Sequence, residues 1–245
     1  MPLHLEGDAV AASIYLKPGR MIVFEGIEGC GKTTQLARTQ AYLAGLGVAP
    51  LMQTREPGGS KLGLAIRALL LDQVETTIDP VAELLLFQAD RAQHVSEMRS
   101  FLSGGGLILC DRYVDSTTAY QGFGRGLALD MIQAFNYTAS SGLTPDLTLW
   151  LDLPVEQGLT RARKGSGANR MEAEEIDFHT RVYEGFLALY RAGGGRMRID
   201  ADGTETEVAA RIQKVVDEHL NHWLRHSADV ERHQRITTGQ EAQNV

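Results

Sequence analysis

The chain of 245 residues has only two cysteines, no long apolar run and no excess of positive charge. Cys30 and Cys110 form no C-x-x-C pair, which argues against a disulfide framework or a zinc site and fits a reducing cytoplasm. No apolar run approaches the roughly 18 residues of a membrane span. The net charge is −7, so neither nucleic acid nor an anionic membrane is an expected partner, and an anionic ligand must be held by local basic residues.

The two ends of the chain differ from its middle. Residues 1–20 mix acidic and basic side chains and contain no continuous apolar core, so they lack the pattern of a signal peptide. The sequence does not decide between Met1 and Met21 as the start. The residues after 225 are polar and are expected to be loose. We therefore divide the chain into an N-terminal extension (1–20), one domain (21–225) and a polar C-terminal tail (226–245).

Short apolar runs alternate with longer amphipathic segments through the middle of the chain. Strands are predicted at 21–26, 48–54, 107–110, 147–153 and 196–200. Helices are predicted at 31–46, 60–71, 80–102, 114–122, 129–140, 154–163, 174–191 and 204–225. This alternation predicts an α/β domain in which a five-stranded parallel sheet is covered by helices on both faces.

The stretch GIEGCGKT at 26–33 has the spacing of a phosphate-binding loop, between the apolar run MIVF and a predicted helix. Glycines let the main chain wrap around an anion, Lys32 can reach the terminal phosphates, and the Thr33 hydroxyl can bind Mg²⁺. The alternative is a glycine-rich turn with an incidental lysine. Cys30 is expected to pack inertly in the loop, and a reactive thiol is the alternative for it. The predicted nucleotide-binding residues are Gly26, Ile27, Glu28, Gly29, Cys30, Gly31, Lys32, Thr33 and Thr34.

Charged residues follow the predicted strands at the points where those strands end. Glu25 ends the first strand, Arg55 follows the second, and Asp111 and Arg112 follow the third. Ligands of parallel α/β sheets bind at the carboxyl ends of the strands, so these side chains are expected to share a site.

Five segments together resemble those of bacterial thymidylate kinases, in the same order and spacing. They are FEGIEGCGKTTQ at 24–35, TREPGG at 54–59, FQADRAQH at 87–94, DRYVDSTTAYQGFGRG at 111–126 and RARKGSGANRME at 161–172. The resemblance covers roughly residues 21–222. It implies a three-layer P-loop NTPase-type fold with a short lid at about 161–172, a homodimer, and conversion of dTMP to dTDP with ATP and Mg²⁺.

The resemblance also implies roles for the residues at the strand ends. Arg112 resembles the arginine that clamps the dTMP phosphate, and Arg55 resembles a second arginine near it. Asp111 would order the magnesium shell together with Thr33. Glu28 would meet the sugar 3′-hydroxyl, whereas Glu25 would support the site from behind. The alternatives are an ion pair between Arg112 and Asp111, a turn-stabilising role for Arg55, and an outward, solvated Glu28.

Two further segments resemble those that read the base and sugar. Phe87 and Arg91 lie four residues apart on one helix face, where Phe87 would stack on thymine and Arg91 would donate to a base carbonyl. The segment around Tyr120 would crowd a ribose 2′-hydroxyl and favour deoxynucleotides. Core packing is the alternative for Phe87 and for Tyr120. The residues of this second segment are Ser116, Thr117, Tyr120 and Gln121.

The predicted lid carries Arg161, Arg163, Lys164 and Arg170 among glycines. The variable loop positions 27–30 contain no basic residue, so a further cation for the transferring phosphoryl group is expected from the lid. Arg163 and Arg170 are favoured over Lys164, and a solvated charge is the alternative for each. The predicted catalytic set is therefore Lys32, Arg112, Arg163 and Arg170.

Overall fold

Five parallel strands form the centre of the molecule. The structure, a computed structural model, describes residues 14–72, 77–163 and 170–241, with side chains described as far as residue 225. The strands are β1 (Arg20–Glu25), β2 (Leu51–Arg55), β3 (Leu107–Asp111), β4 (Leu147–Asp152) and β5 (Arg196–Asp200). They are ordered β2-β3-β1-β4-β5, and every pair is parallel. The predicted five-stranded parallel sheet is therefore confirmed.

Helices connect these strands. They are α1 (Lys32–Gly45), α2 (Lys61–Leu71), α3 (Pro80–Ser103), α4 (Val114–Thr117), a π-helix (Thr118–Gly124), α5 (Leu129–Ser140), α6 (Val155–Arg163), α7 (Ile176–Arg191) and α8 (Glu205–Glu241). The Ser60 hydroxyl caps α2 by accepting from the Gly63 amide at 2.9 Å, as N-terminal serines often do. No helix in the described part of the chain is both long and apolar enough to span a membrane.

The central strands β1, β3 and β4 are buried on both faces, and alternate side chains of each strand point to opposite faces. On β1, Ile22 and Phe24 belong to the larger hydrophobic cluster, which includes side chains of α1 and α8. Met21 and Val23 instead pack in a second cluster with side chains of α3. A continuous apolar strand such as MIVF is what burial on both faces requires.

Two predicted element boundaries differ from the observed ones by three residues or more. The second strand begins at Leu51 rather than Val48, because Pro50 has no N–H to donate to a ladder. The last helix continues to Glu241, although the sequence predicted an end near 225 and a loose tail beyond it. Polar composition suggested that end, but neither glycine nor proline interrupts the segment 205–238, so the helix has no local stop signal.

The described part of the N-terminal extension packs against the domain. Leu16 is buried in the larger hydrophobic cluster, and Ile14 forms an isolated parallel bridge with Val48. At the other end of the sheet, Asp111 is paired in register with both Phe24 and Arg55. The ends of β1, β2 and β3 are thus level, which brings the charged residues that follow them to one edge.

Candidate active site

The phosphate-binding loop connects β1 to α1 through three glycines with positive φ. Gly26, Gly29 and Gly31 have φ of 138°, 67° and 96°. At Gly29 a Cβ would also lie 2.0 Å from the carbonyl oxygen of Gly158, so a side chain there would collide with the start of α6. These glycines are needed because this left-handed path is strained for other residues.

Lys32 spans the loop from the first turn of α1. Its Nζ atom donates to the carbonyl oxygens of Gly26 at 3.1 Å and Ile27 at 2.8 Å. Cys30, next to it in the loop, is buried and lies 3.6 Å from the same nitrogen. A cation is thus held over the loop at the positive end of a helix, which is an arrangement that binds anions.

Thr33 and Asp111, the predicted metal-binding pair, are in contact. The Thr33 hydroxyl donates to Asp111 Oδ2 at 3.1 Å, whereas Asp111 Oδ1 is buried without a hydrogen-bond partner among the described residues. The described part of the chain contains no cluster of three or more acidic, histidine or cysteine side chains that could hold a metal. Mg²⁺ is commonly held by one or two protein oxygens together with phosphates and water, so this pair fits it.

Arg112 is held in a left-handed conformation, with φ of 70°, at the end of β3. Its guanidinium donates to the Gly26 carbonyl at 3.0 Å, to the Ser116 hydroxyl at 3.1 Å and to Glu28 Oε1 at 3.1 Å. Burial opposes the charge, but the neighbouring Tyr120 and Glu28 and other acidic groups raise the pKa of Arg112 above its ordinary value. The alternative of an ion pair with Asp111 is replaced by a pair with Glu28.

Glu28 is buried inside the site, so the alternative of an outward, solvated charge was wrong. Its Oε1 atom accepts from the Tyr120 hydroxyl at 2.6 Å as well as from Arg112. Burial alone would raise the pKa of Glu28, but the contact with His179, the charges of Arg112 and Lys32 and the Tyr120 hydroxyl lower it to about 2. Glu28 is therefore an ionised carboxylate at neutral pH.

Glu25 supports Arg112 from beneath. Its carboxylate is fully buried and accepts from the main-chain amides of Tyr113 and Ser116 and from the Ser116 hydroxyl at 2.6 Å. Burial and the nearby charge of Asp115 raise the pKa of Glu25 to about 7, despite these hydrogen bonds and the charge of Arg112. These contacts tie the segment that follows β3 to the end of β1.

A third arginine, which the sequence analysis missed, joins Arg55 and Arg112. Arg67 of α2 donates to the Pro57 carbonyl at 2.9 Å and lines the same cavity. Burial and the charges of Arg55 and Arg112 lower its pKa, with the charges of Asp111 and Asp90 acting in the opposite direction. A group of arginines that destabilise one another's charge favours an anion between them. A lone arginine within an apolar helix was the only signal for Arg67 in the sequence.

The two predicted base-binding residues on α3 differ in their surroundings. Phe87 is partly exposed, lines the cavity and belongs to neither hydrophobic cluster, which disfavours the core-packing alternative. Arg91 also lines the cavity, but it is nearly fully buried and donates to Glu56 at 2.8 Å, Asn136 at 2.7 Å and Thr117 at 3.0 Å. Arg91 is thus oriented by protein contacts on all three of its nitrogens.

Helix α4 and the π-helix that follows it supply four predicted substrate-binding residues. Ser116 and Thr117 accept from Arg112 and Arg91, and the Gln121 amide donates to Glu83 at 2.8 Å. The Tyr120 ring packs edge-on against aromatic rings of α7 in the larger hydrophobic cluster, while its hydroxyl reaches Glu28. The Tyr120 ring therefore packs in the core, as the alternative predicted, while the hydroxyl of the same side chain lies in the site.

The predicted lid is only partly visible, because residues 164–169, including Lys164, lie outside the described residues. Arg163 is exposed at the end of α6. Arg170 donates to Glu83 at 2.5 Å and to the Leu70 carbonyl at 2.8 Å. Burial alone would raise the pKa of Glu83, but hydrogen bonds from Arg125 and from Gln121 and Arg170 lower it.

One cavity of about 250 Å³ brings most of the predicted residues together. Those that line it are Glu28, Gly29, Lys32, Thr33, Arg55, Phe87, Arg91, Asp111, Arg112, Ser116, Thr117, Tyr120 and Gln121. Those outside its lining are Gly26, Ile27, Cys30, Gly31, Thr34, Arg163 and Arg170. Met171 and Glu172 also line the cavity, and only their position within the lid segment pointed to them in the sequence.

These features define a P-loop NTPase: a parallel sheet, a phosphate-binding loop after its central strand, and a basic cavity at the strand ends.

The family model for thymidylate kinase matches residues 24–212. A thymidylate kinase from Cyanothece sp. (strain PCC 7425) is 50% identical over 225 residues, covering 84% of this chain and 96% of the relative. One from Thermosynechococcus vestitus is 48% identical over 218 residues, covering 84% of this chain and 90% of the relative.

A solved structure gives the same result. The crystal structure of thymidylate kinase from Ehrlichia chaffeensis is 30% identical, with a TM-score of 0.67, and covers 81% of this chain and 100% of its own. The chain belongs to the thymidylate kinase family, which makes it a kinase.

Proposed function

We propose that this kinase transfers the γ-phosphoryl group of ATP, bound with Mg²⁺, to dTMP and yields dTDP and ADP. The observation that carries the proposal is the grouping of Arg55, Arg67 and Arg112 in the cavity that Lys32 of the phosphate loop also lines. Lys32 would hold the donor phosphates, and the three arginines would hold the acceptor phosphate. An acceptor with a free hydroxyl but no phosphate would leave the second group unused.

The acceptor needs no general base in this scheme. The second pKa of a phosphate monoester is near 6, so its attacking oxygen is already mostly ionised at neutral pH. That oxygen forms a bond to the γ-phosphorus while the bond from phosphorus to the ADP oxygen breaks. Glu28, with a pKa of about 2, is too weak a base to remove a proton from a hydroxyl acceptor.

The residues of this chain then act through position and charge. Lys32 neutralises the donor phosphates, and the planar Arg112 guanidinium holds the acceptor phosphate with two parallel hydrogen bonds. Bound Mg²⁺ would supply charge neutralisation between the donor phosphates, and Thr33 and Asp111 are the residues that would hold it. Glu28 would face the sugar 3′-hydroxyl.

The base and sugar would be read at the other cavity walls. Phe87 offers a face for stacking on thymine, Arg91 would donate to a base carbonyl, and Tyr120 would exclude a 2′-hydroxyl. The side chains of Ser116, Thr117 and Gln121 complete this wall. The lid would add Arg163 or Arg170 when both substrates are bound.

We also propose that the protein is a cytoplasmic homodimer. The two buried free cysteines support the cytoplasm, and the exposed leucines on α2 support the dimer.

An ADP-release assay with ATP and a panel of dTMP, dUMP, dCMP and thymidine tests this function. We expect dTMP to be the preferred acceptor and Lys32→Ala to lose activity on the order of a hundredfold while keeping the wild-type Tm, because it removes the charge on the donor phosphates. A preference for thymidine would indicate a nucleoside kinase instead. Nucleotide binding without ADP release would indicate a binding module or switch.

A further inference from the structure

His179 is a buried histidine that lies beside Glu28 and that no sequence motif indicated. It lies on α7 with 0% of its surface exposed, and neither ring nitrogen has a hydrogen-bond partner among the described residues. Its Nδ1 atom lies 3.5 Å from Glu28 Oε2. This oxygen is also buried and has no hydrogen-bond partner among the described residues. A buried donor and a buried acceptor thus face each other just beyond ordinary hydrogen-bond distance.

The two oxygens of Glu28 have different surroundings. Oε1 accepts from both Tyr120 and Arg112, whereas Oε2 is shielded from solvent. Leaving a carboxylate oxygen buried without a partner is costly, so a small movement that brings a donor within about 3 Å is favourable. The neighbouring Phe178 ring stands edge-on to the His179 ring, with centroids 5.5 Å apart, and limits where that ring can turn.

We propose that His179 is a positioning residue whose Nδ1–H donates to Glu28 Oε2 when the acceptor is bound. The hydrogen bond fixes the rotation of the Glu28 carboxylate, so that Oε1 keeps both Tyr120 and Arg112 in place. His179 thereby acts on the acceptor through Arg112 without touching it. This inference rests on the proposed function only in assigning the acceptor phosphate to Arg112.

Three substitutions at His179 separate hydrogen bonding from packing. In His179→Asn, the side-chain amide nitrogen can take the place of Nδ1. In His179→Gln, the side-chain amide nitrogen takes the place of Nε2. His179→Phe fills the same space but has no hydrogen-bond donor. We expect His179→Phe and His179→Gln to lower kcat about tenfold or more, the scale of a hydrogen bond to a charged group. The KM for dTMP should stay within about threefold, because the lost positioning matters most in the transition state. His179→Asn should recover kcat to within about threefold of wild type.

The outcomes are decisive in both directions. Recovery by asparagine but not glutamine, with an unchanged Tm, supports the proposal. Equal losses of kcat in all three variants would mean that His179 only packs. Recovery of kcat by glutamine alone would place the hydrogen bond on Nε2. A His179→Phe variant with a kcat near that of the wild type would show that His179 has no role. Each of these three results overturns the proposal.

A second measurement needs neither turnover nor folded variants. Nitrogen NMR of the wild-type imidazoles, with dTMP and without it, reports which ring nitrogen carries the proton. We expect the His179 signal to show a protonated Nδ1 in the dTMP complex, and a bare Nδ1 there would overturn the inference. If the wild type instead fails to phosphorylate dTMP in the panel assay, the proposed function fails, while the NMR result still tests the hydrogen bond.

Discussion

Arg112 combines an unusual backbone conformation with hydrogen bonds from both its main chain and its side chain. A positive φ in a residue other than glycine stores strain of about 1–3 kcal/mol and persists only where surrounding contacts impose it. Here the Arg112 amide donates to the Phe24 carbonyl at 3.0 Å, and the side chain is fixed by Gly26, Glu28 and Ser116. The guanidinium is therefore oriented before any ligand arrives.

Replacing Arg112 by lysine tests the shape of this cation rather than its charge. Arg112→Lys keeps the Cβ and a positive charge, but a point ammonium cannot hold a phosphate with two parallel hydrogen bonds. We expect kcat/KM for dTMP to fall by about tenfold or more. Steady-state kinetics with dTMP as the varied substrate is the measurement.

Arg38→Lys is the matched control, because Arg38 pairs with Glu205 on the surface at 2.9 Å. It should leave kcat/KM unchanged, since exposed ion pairs contribute little. An Arg112→Lys enzyme within twofold of wild type would show that the Arg112 fork does not hold the acceptor.

At the scale of elements, the phosphate loop and the lid divide the positive charge between them. The loop contributes Lys32 and no other basic side chain, whereas α6 and the segment after it carry several. Arg170 is held by buried Glu83, which Arg125 and Gln121 also contact. Movement of Arg170 toward the phosphates would therefore leave Glu83 with two partners.

Removing the lid arginines tests whether this element supplies the missing cation. We expect Arg163→Ala and Arg170→Ala, singly and together, to lower kcat more than they raise the KM for dTMP, because the closed lid acts mostly in the transition state. Limited proteolysis should also show protection of the segment 161–172 when a bisubstrate analogue is bound.

The control for the lid is Arg161→Ala. Arg161 lies in the same stretch, but it faces Asp202 at 3.7 Å and the Ala201 carbonyl, so its removal should leave kcat unchanged. The lid assignment is wrong if the double variant keeps kcat within about threefold of wild type, or if occupied and empty enzyme are cleaved at the same rate.

At the scale of the whole molecule, α2 exposes Leu62, Leu64 and Leu69, of which Leu62 and Leu69 lie on the same face. Leu62 and Leu69 are 52% and 57% exposed, and seven residues of helix place them on the same side. Exposed leucines repeated along one face are typical of a protein interface rather than of scattered surface residues. This face is where we place the partner subunit of the proposed homodimer.

Sedimentation of the wild type should give twice the chain mass of 26.8 kDa. The double variant Leu62→Glu and Leu69→Glu should sediment as a monomer, because charges cannot be buried unpaired in an apolar contact. Leu46→Glu, at a leucine 42% exposed beyond the end of α1, is the control and should remain dimeric. A wild-type mass of one chain, or a dimer that tolerates both glutamates, would contradict this interface.

The sequence by itself determined the elements and the parts of the site that lie close together along the chain. Glycine spacing located the loop at 26–33, and apolar runs bounded by turns located all five strands. Asp111 and Arg112 could be placed in the site because both directly follow a strand. These inferences succeed because backbone conformation and strand ends depend mainly on neighbouring residues.

Only the tertiary structure decided which side chains become partners. Glu28 meets His179 across 151 positions of sequence, Arg91 is oriented by Glu56 and Asn136, and Arg67 joins the other arginines from a separate helix. Such contacts depend on how each helix is rotated and packed against the sheet, which no local pattern encodes. These partners then set the chemistry, because the contact with His179 and the charges of Arg112 and Lys32 outweigh burial and lower the pKa of Glu28 to about 2.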